Sequence, residues 1–222
     1  MKLLSVNVAM PREVEINGKQ VSTGIYKEPV SGPVWLGRLS LAGDGQADLT
    51  VHGGEHQAAY SYPIEHYAHW EKVMGVTNYP SGIFGENFTI RGLLEDAVCI
   101  GDIWRIGSAR VQVTMPRLPC FKFGHKIGQP SILKEFLHSG YSGFYHSVLI
   151  EGWVAADDDI EVLERDQRGL TVRQMLGMQK LGEGDAASLS RALEIECLPP
   201  SLRHDIESLK HAAKVVSGEA QA

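Results

Sequence analysis

The stretch GDIWRIGSARVQVTMPRLPC, residues 101–120, contains two runs of strand-forming residues, DIWRIG and ARVQVTM, joined at Gly107-Ser108. β-Branched and aromatic residues on either side of a two-residue turn predict a tight hairpin. The same stretch ends on Cys120, set beside Pro119, with Arg117 before it and Lys122 after it. A cysteine kept for packing prefers apolar neighbours, whereas one that reacts or holds a metal gains from cations that stabilise its thiolate. The residues alone leave both readings of Cys120 open.

Working outward, KLLSVNV (2–8), VWLGRLSL (34–41), AVCIGDIWRIG (97–107), HSVLIEGWV (146–154) and DIEVLER (159–165) have the same composition. Their spacing predicts a mostly antiparallel, closed barrel or strongly bent sheet, since closure removes exposed edges. Two helical stretches interrupt it: PIEHYAHWEKVM (63–74), entered at Pro63, and PSILKEFLHSG (130–140), stopped at Gly140. After Arg168 the character changes. Thr171-Val172-Arg173-Gln174 is a capping-box pattern, Asp185 is placed to cap DAASLSRALEI, and residues 199–218 have helical spacing of Leu202, Ile206 and Leu209. The expected organisation is a β-barrel domain over 1–168 and a three-helix domain over 169–222.

The chain has 222 residues, a net charge of −6 and 43% hydrophobic content, which describes a globular protein without an electrostatic footprint for nucleic acid. No apolar run reaches the roughly 20 residues a membrane span needs. MKLLSVNVAM is interrupted by Asn7 and reads as a first strand rather than a signal peptide, so a cytoplasmic location is expected. Three cysteines are too few for a disulfide framework or an iron–sulfur cluster. Cys99, in AVCI, reads as a core residue and Cys197 as incidental. No nucleotide-binding glycine loop or C-x-x-C pair is present.

VHGGEHQAAYSYPIEHYAHW (51–70) holds His52, His56, His66 and His69. Zinc is disfavoured, because Gly53-Gly54 would break the helix that an i, i+4 histidine pair requires and the partnering glutamate is missing. His66 and His69 are placed on a surface helix. His52-Gly53-Gly54 reads as a loop whose backbone N–H groups approach and cradle a ligand, or as a plain turn. LAGDGQADLTVHGG superficially resembles a calcium loop, but Leu49 occupies the sixth position, where glycine is needed. In FGENFTIRGL (84–93), Gly85, Glu86 and Asn87 open a strand-like run; Asn87 either bonds a polar ligand ring or forms an Asx turn.

Taken together, GDGQADLTVHGG, YPIEHYAHW, FGENFT, GDIWRIG, VQVTMPRLPCFK and the helical terminus resemble the MOSC domain family, in its YiiM-like stand-alone branch. The resemblance implies a closed, irregular β-barrel with short helices and a small three-helix C-terminal domain. It implies that Cys120 is the catalytic cysteine and ligates molybdenum in a pyranopterin cofactor. His52, Gly53, Gly54, Gly85, Glu86, Asn87, Arg117 and Lys122 would surround that molybdenum cofactor. The implied activity is reduction of N-hydroxylated compounds such as hydroxylaminopurine to amines, with electrons from a separate reductase. Rival readings are a sulfur carrier with a Cys120 persulfide supplied by a pyridoxal-phosphate desulfurase, and a non-catalytic cofactor carrier. Neither a nucleic acid nor a membrane is an expected partner, and the sequence leaves the oligomeric state open.

Overall fold

The computed structural model describes residues 1–47 and 53–216, with side chains to Ala213. Its centre is a mixed sheet built from β1 (Lys2–Val8), β4 (Glu28–Pro29), β6 (Ala59–Pro63), β7 (Phe88–Arg91), β8 (Ile103–Ile106), β9 (Ala109–Pro116), β10 (Phe144–Ile150) and β12 (Ile160–Glu164). Among the described residues these strands run in the order β12-β8-β9-β10-β6-β7-β1-β4. Neighbours are antiparallel except β6 and β7, which are parallel. The hairpin expected at Gly107-Ser108 is there: Ile106 pairs with Ala109, and Gly107 has φ of 55°. Two ribbons stand apart from the sheet, β2 (Arg12–Ile16) with β3 (Lys19–Thr23), and β5 (Val34–Leu36) with β11 (Gly152–Val154).

The sheet is not closed as a barrel, contrary to the expectation. Its ladder ends on β12 and β4, and the approach of the β12 end to β1 consists of one isolated bridge, Lys2 to Asp159, and a few backbone bonds such as Leu3 N to Asp158 O at 3.0 Å. Continuous pairing stops there because the chain turns at Ala155–Asp158, where Asp157 has φ of 70°. Other runs are shorter than their composition implies. VWLGRLSL folds back at a turn closed by Gly37 N to Ser40 O (3.0 Å), and HSVLIEGWV divides at Glu151 into β10 and β11.

Helices α1 (Tyr67–Met74), α2 (Phe121–Ile127) and α3 (Ile132–Ser139) pack beside the sheet. Gly75, Gly128 and Gly140 end them in the left-handed conformation that glycine adopts without cost. The first begins later than predicted, because Pro63 closes β6 and residues 64–66 form a separate tight turn. That turn puts His66 inside, hydrogen-bonded to Glu95 at 2.6 Å, while His69 stays exposed on α1. After the sheet come α4 (Val172–Leu176), α5 (Ala186–Leu193) and α6 (Pro200–Val216). Both predicted caps form: Thr171 Oγ1 accepts from Gln174 N, and Asp185 Oδ1 accepts from Ser188 N. Leu189, Ile195, Leu202 and Ile206 join the same apolar core as Trp104, Val111 and Val113 of the sheet. A second core is aromatic, formed by Tyr60, Tyr62, Tyr67, Trp70, Phe84, Phe123 and Phe136. Among the described residues no helix is long and apolar enough to cross a membrane.

Candidate active site

Chain direction at the end of β9 creates the site. After Pro116 pairs with Phe144, the backbone leaves the sheet edge, and Cys120 becomes the extended residue capping α2 (φ −120°, ψ 170°). Cys120 then lines a cleft of about 740 Å³, counted to its open mouth, with Arg117, Lys122, Lys27, Asp44, Tyr60 and Tyr145.

Arg117 is 5% exposed, and its guanidinium lies 4.8 Å from the Phe123 ring centre and 5.3 Å from those of Tyr60 and Phe136. The aromatic faces stabilise the cation without taking its N–H donors. Among the described residues its Nη1 is buried without a hydrogen-bond partner. A guanidinium is always charged and carries five donors, so a buried unpartnered donor beside a cleft is a group prepared for an anion. Lys122 donates from Nζ to Ser22 O at 3.0 Å, and Lys126 donates to Ile25 O and Gly82 O at 2.8 and 2.6 Å. These two lysines of α2 thereby fix the end of β3 and the residues after it, which supply Thr23, Gly24 and Ile25 to the cleft wall. Burial lowers the Lys126 ammonium to about 8, with Arg117 and Lys27 adding to the effect against the pull of Glu86.

The opposite wall is an ion pair. Lys27 and Asp44 are in contact, their side chains 10% and 3% exposed. Asp44 also accepts from Ala9 N at 2.9 Å and from Asn87 Nδ2 at 2.8 Å. Burial pushes the Lys27 ammonium below its ordinary range, against the opposing charge of Asp44.

The sequence-predicted residues divide between wall and framework. Cys120, Arg117, Lys122, Gly53, Gly85 and Asn87 all line the cleft. The amide of Asn87 is nevertheless engaged within the protein, since Oδ1 accepts from Tyr60 N at 3.1 Å and Nδ2 donates to Asp44 and to Asn7 O. Glu86 does not reach the cleft wall; it is fully buried and accepts from Tyr67 Oη, Gly82 N (2.7 Å), Phe84 N (3.0 Å) and Thr89 Oγ1 (2.9 Å). It holds the Gly82–Asn87 loop in shape. Gly54 is also absent from the wall, and His52 lies outside the described residues. The N–H groups expected to cradle an anion are taken: Gly53 N donates to Gln57 Oε1 at 3.1 Å and Gly54 N to Gln46 Oε1 at 3.2 Å. Position 53 admits only glycine, because φ is 110° and a Cβ would lie 1.8 Å from Gln46 Oε1.

Sequence reading missed Lys27, Tyr60 and Tyr145, and it considered Asp44 only as a calcium ligand. None has a local signature, because each acquires its partner through the fold. Among the described residues no three His, Cys, Asp or Glu side chains gather as ligands for a metal ion.

The MOSC domain model matches residues 48–161. Over 171 residues the chain is 43% identical to the protein YflK of Bacillus subtilis (strain 168), covering 77% of each. The chain belongs to the MOSC domain family. The crystal structure of YiiM from Geobacillus stearothermophilus matches this MOSC chain with a TM-score of 0.80 at 33% identity, over 94% of this chain and 98% of that one. A protein named Reductase from Gibberella moniliformis (strain M3125 / FGSC 7600) is 32% identical over 185 residues, which are 82% of the MOSC chain and 32% of the relative. The MOSC chain thus spans about a third of that longer protein.

Proposed function

We propose that this MOSC protein is a molybdenum-cofactor oxidoreductase that removes oxygen from N-hydroxylated compounds, giving an amine and water. One observation carries the reading: Cys120 opens on the same cleft as Arg117, a buried cation whose Nη1 has no partner among the described residues. The residues fit the cofactor. A soft thiolate suits a metal that arrives inside an organic dithiolene, and this cleft offers one sulfur donor. Among the described residues of the wall, three cations, Lys27, Arg117 and Lys122, face one carboxylate, Asp44, which favours a ligand with several negative charges.

Within this reading Cys120 would hold the metal, Arg117 would bind the cofactor's anionic groups, and Lys122, its Nζ donating to Ser22 O, would add positive charge to that wall. The bound cofactor supplies two-electron chemistry; the protein supplies ligation, orientation and a sheltered cleft. Tyr60 and Tyr145, whose rings lie 5.2 Å apart, form an aromatic wall against which a flat heterocyclic substrate can pack. A separate reductase delivers the electrons, because the sequence has no nucleotide fingerprint and too few cysteines for a cluster. The relative named Reductase supports this division, as the MOSC chain corresponds to 32% of it.

The test combines metal-loaded protein, hydroxylaminopurine and a chemical reductant. Amine should form, and nicotinamide alone should not sustain turnover. No amine from protein carrying stoichiometric molybdenum would overturn the proposal. A mass increase of one sulfur on Cys120, in protein lacking molybdenum, would favour the sulfur carrier.

A further inference from the structure

Reduction of an N-hydroxyl group follows R–NH–OH + 2e⁻ + 2H⁺ → R–NH₂ + H₂O. The electrons come from the reduced cofactor of the reading above, but a proton must reach the departing oxygen inside the cleft. The ionisable groups on the wall can be compared in turn. Tyr60 and Tyr145 are phenols that burial holds above their usual range, and the Tyr60 hydroxyl already donates to Ser142 O at 2.7 Å. Arg117 does not release a proton under any ordinary condition. Cys120 is the metal ligand in this reading, and Lys122 is turned to Ser22 O.

Among the described residues Lys27 is the remaining donor, and its setting is specific. It lines the cleft, and among the described residues Asp44 is the one hydrogen-bond partner of its ammonium, which has three N–H bonds. Asp44 cannot swing away, because Ala9 N and Asn87 Nδ2 hold its two oxygens. Asn87 is anchored in turn by Tyr60 N and Asn7 O. Asp44 and Glu86 are the charges acting on Lys27 and both hold its proton; burial acts against them and favours release during the reaction.

We propose that Lys27, oriented by Asp44, is the catalytic acid that protonates the departing hydroxyl oxygen. The N–O bond breaks as two electrons enter from the reduced cofactor, and oxygen leaves as water with the Lys27 proton. The nitrogen takes the second proton, and solvent at the cleft mouth reprotonates Lys27. This assignment rests on the N-hydroxyl reductase reading.

The test uses molybdenum-loaded parent, Lys27→Arg and Lys27→Met, with hydroxylaminopurine as substrate and reduced methyl viologen as donor. Arginine keeps the charge but holds its proton, so it separates proton supply from electrostatics, and it serves alone if the methionine variant does not fold. Lys27→Arg, which keeps the positive charge, should retain the parent's molybdenum content, and both variants should lose roughly 100-fold or more in kcat per molybdenum-loaded chain. The parent's rate should fall as pH rises through the Lys27 pKa, and this alkaline limb should vanish in both variants. A readout independent of activity is NMR of ¹³C-lysine-labelled protein. One Cε resonance, absent from Lys27→Arg, should titrate below ordinary lysines. Unchanged kcat and an unchanged alkaline limb in both variants would overturn the proposal, as would loss of molybdenum from both. A fully loaded parent that forms no amine would instead overturn the functional reading, and this inference with it.

Discussion

Cys120 and Cys197 are both half-buried, yet the chain surrounds them differently. Cys197 lies against the sheet, where its thiol donates to Val113 O at 3.6 Å and burial pushes its pKa up to about 11. Cys120 lies where β9 leaves the sheet, on a cleft it shares with a buried guanidinium and two lysines. The difference shows that cysteine chemistry follows the neighbours the fold supplies rather than the degree of burial. One sulfur is packed under the helices on a single carbonyl, with Asp166 acting on it more strongly than Arg168 or Arg203. The other faces cations and open volume.

Exchanging each sulfur tests the comparison most severely. Cys120→Ser should abolish molybdenum retention with an unchanged circular dichroism spectrum, since serine is nearly isosteric and a harder ligand. Cys197→Ser should keep the metal. Equal metal loss from both variants would erase the distinction. Alkylation gives the next largest effect. With a pKa of about 11, Cys197 is about one part in a thousand thiolate at pH 8, so iodoacetamide should modify it slowly, and faster as pH rises. Mass spectrometry of peptides follows this, and rapid modification of Cys197 at pH 8 would contradict its assigned setting.

Removing the cation beside Cys120 should do less. Arg117→Met deletes charge-assisted contacts worth about 1.5–3 kcal/mol, so cofactor retention should fall roughly tenfold or more while Cys120 stays in place. Full retention would remove Arg117 from the binding role. Asn87→Ala should have the smallest effect, seen mainly in stability, because it deprives Tyr60 N and Asp44 Oδ2 of their partner. A loss of about 1–3 kcal/mol is expected, or roughly 2–4 °C in melting temperature for each kcal/mol. An unchanged melting temperature would show that water replaces the amide at no cost.

Local features of this fold were legible in the residues. The Gly107-Ser108 hairpin, the Thr171 and Asp185 caps, the Gly140 stop and the cationic frame of Cys120 all depend on neighbours a few positions apart. The Asn17-Gly18 turn of the β2–β3 hairpin was equally local, with φ of 53° and 75°, and its sequence signal could have been read. Other features depend on distant partners. Lys27 meets Asp44 only after β4 joins the sheet, and His66 turns inward because Glu95 waits for it there. Closure of the sheet was expected from strand spacing, but the turn before β12 decides it. Asn87 and Glu86 were expected to bind a cofactor, yet their hydrogen bonds hold the protein's own backbone and side chains together.

Elemental analysis of freshly purified parent protein, from cells that make the molybdenum cofactor, tests the central claim most directly. Molybdenum should approach one atom per chain, and should be lost together with the ability to reduce hydroxylaminopurine when the cofactor is removed. Protein that carries no molybdenum and reduces the substrate equally well would contradict the account.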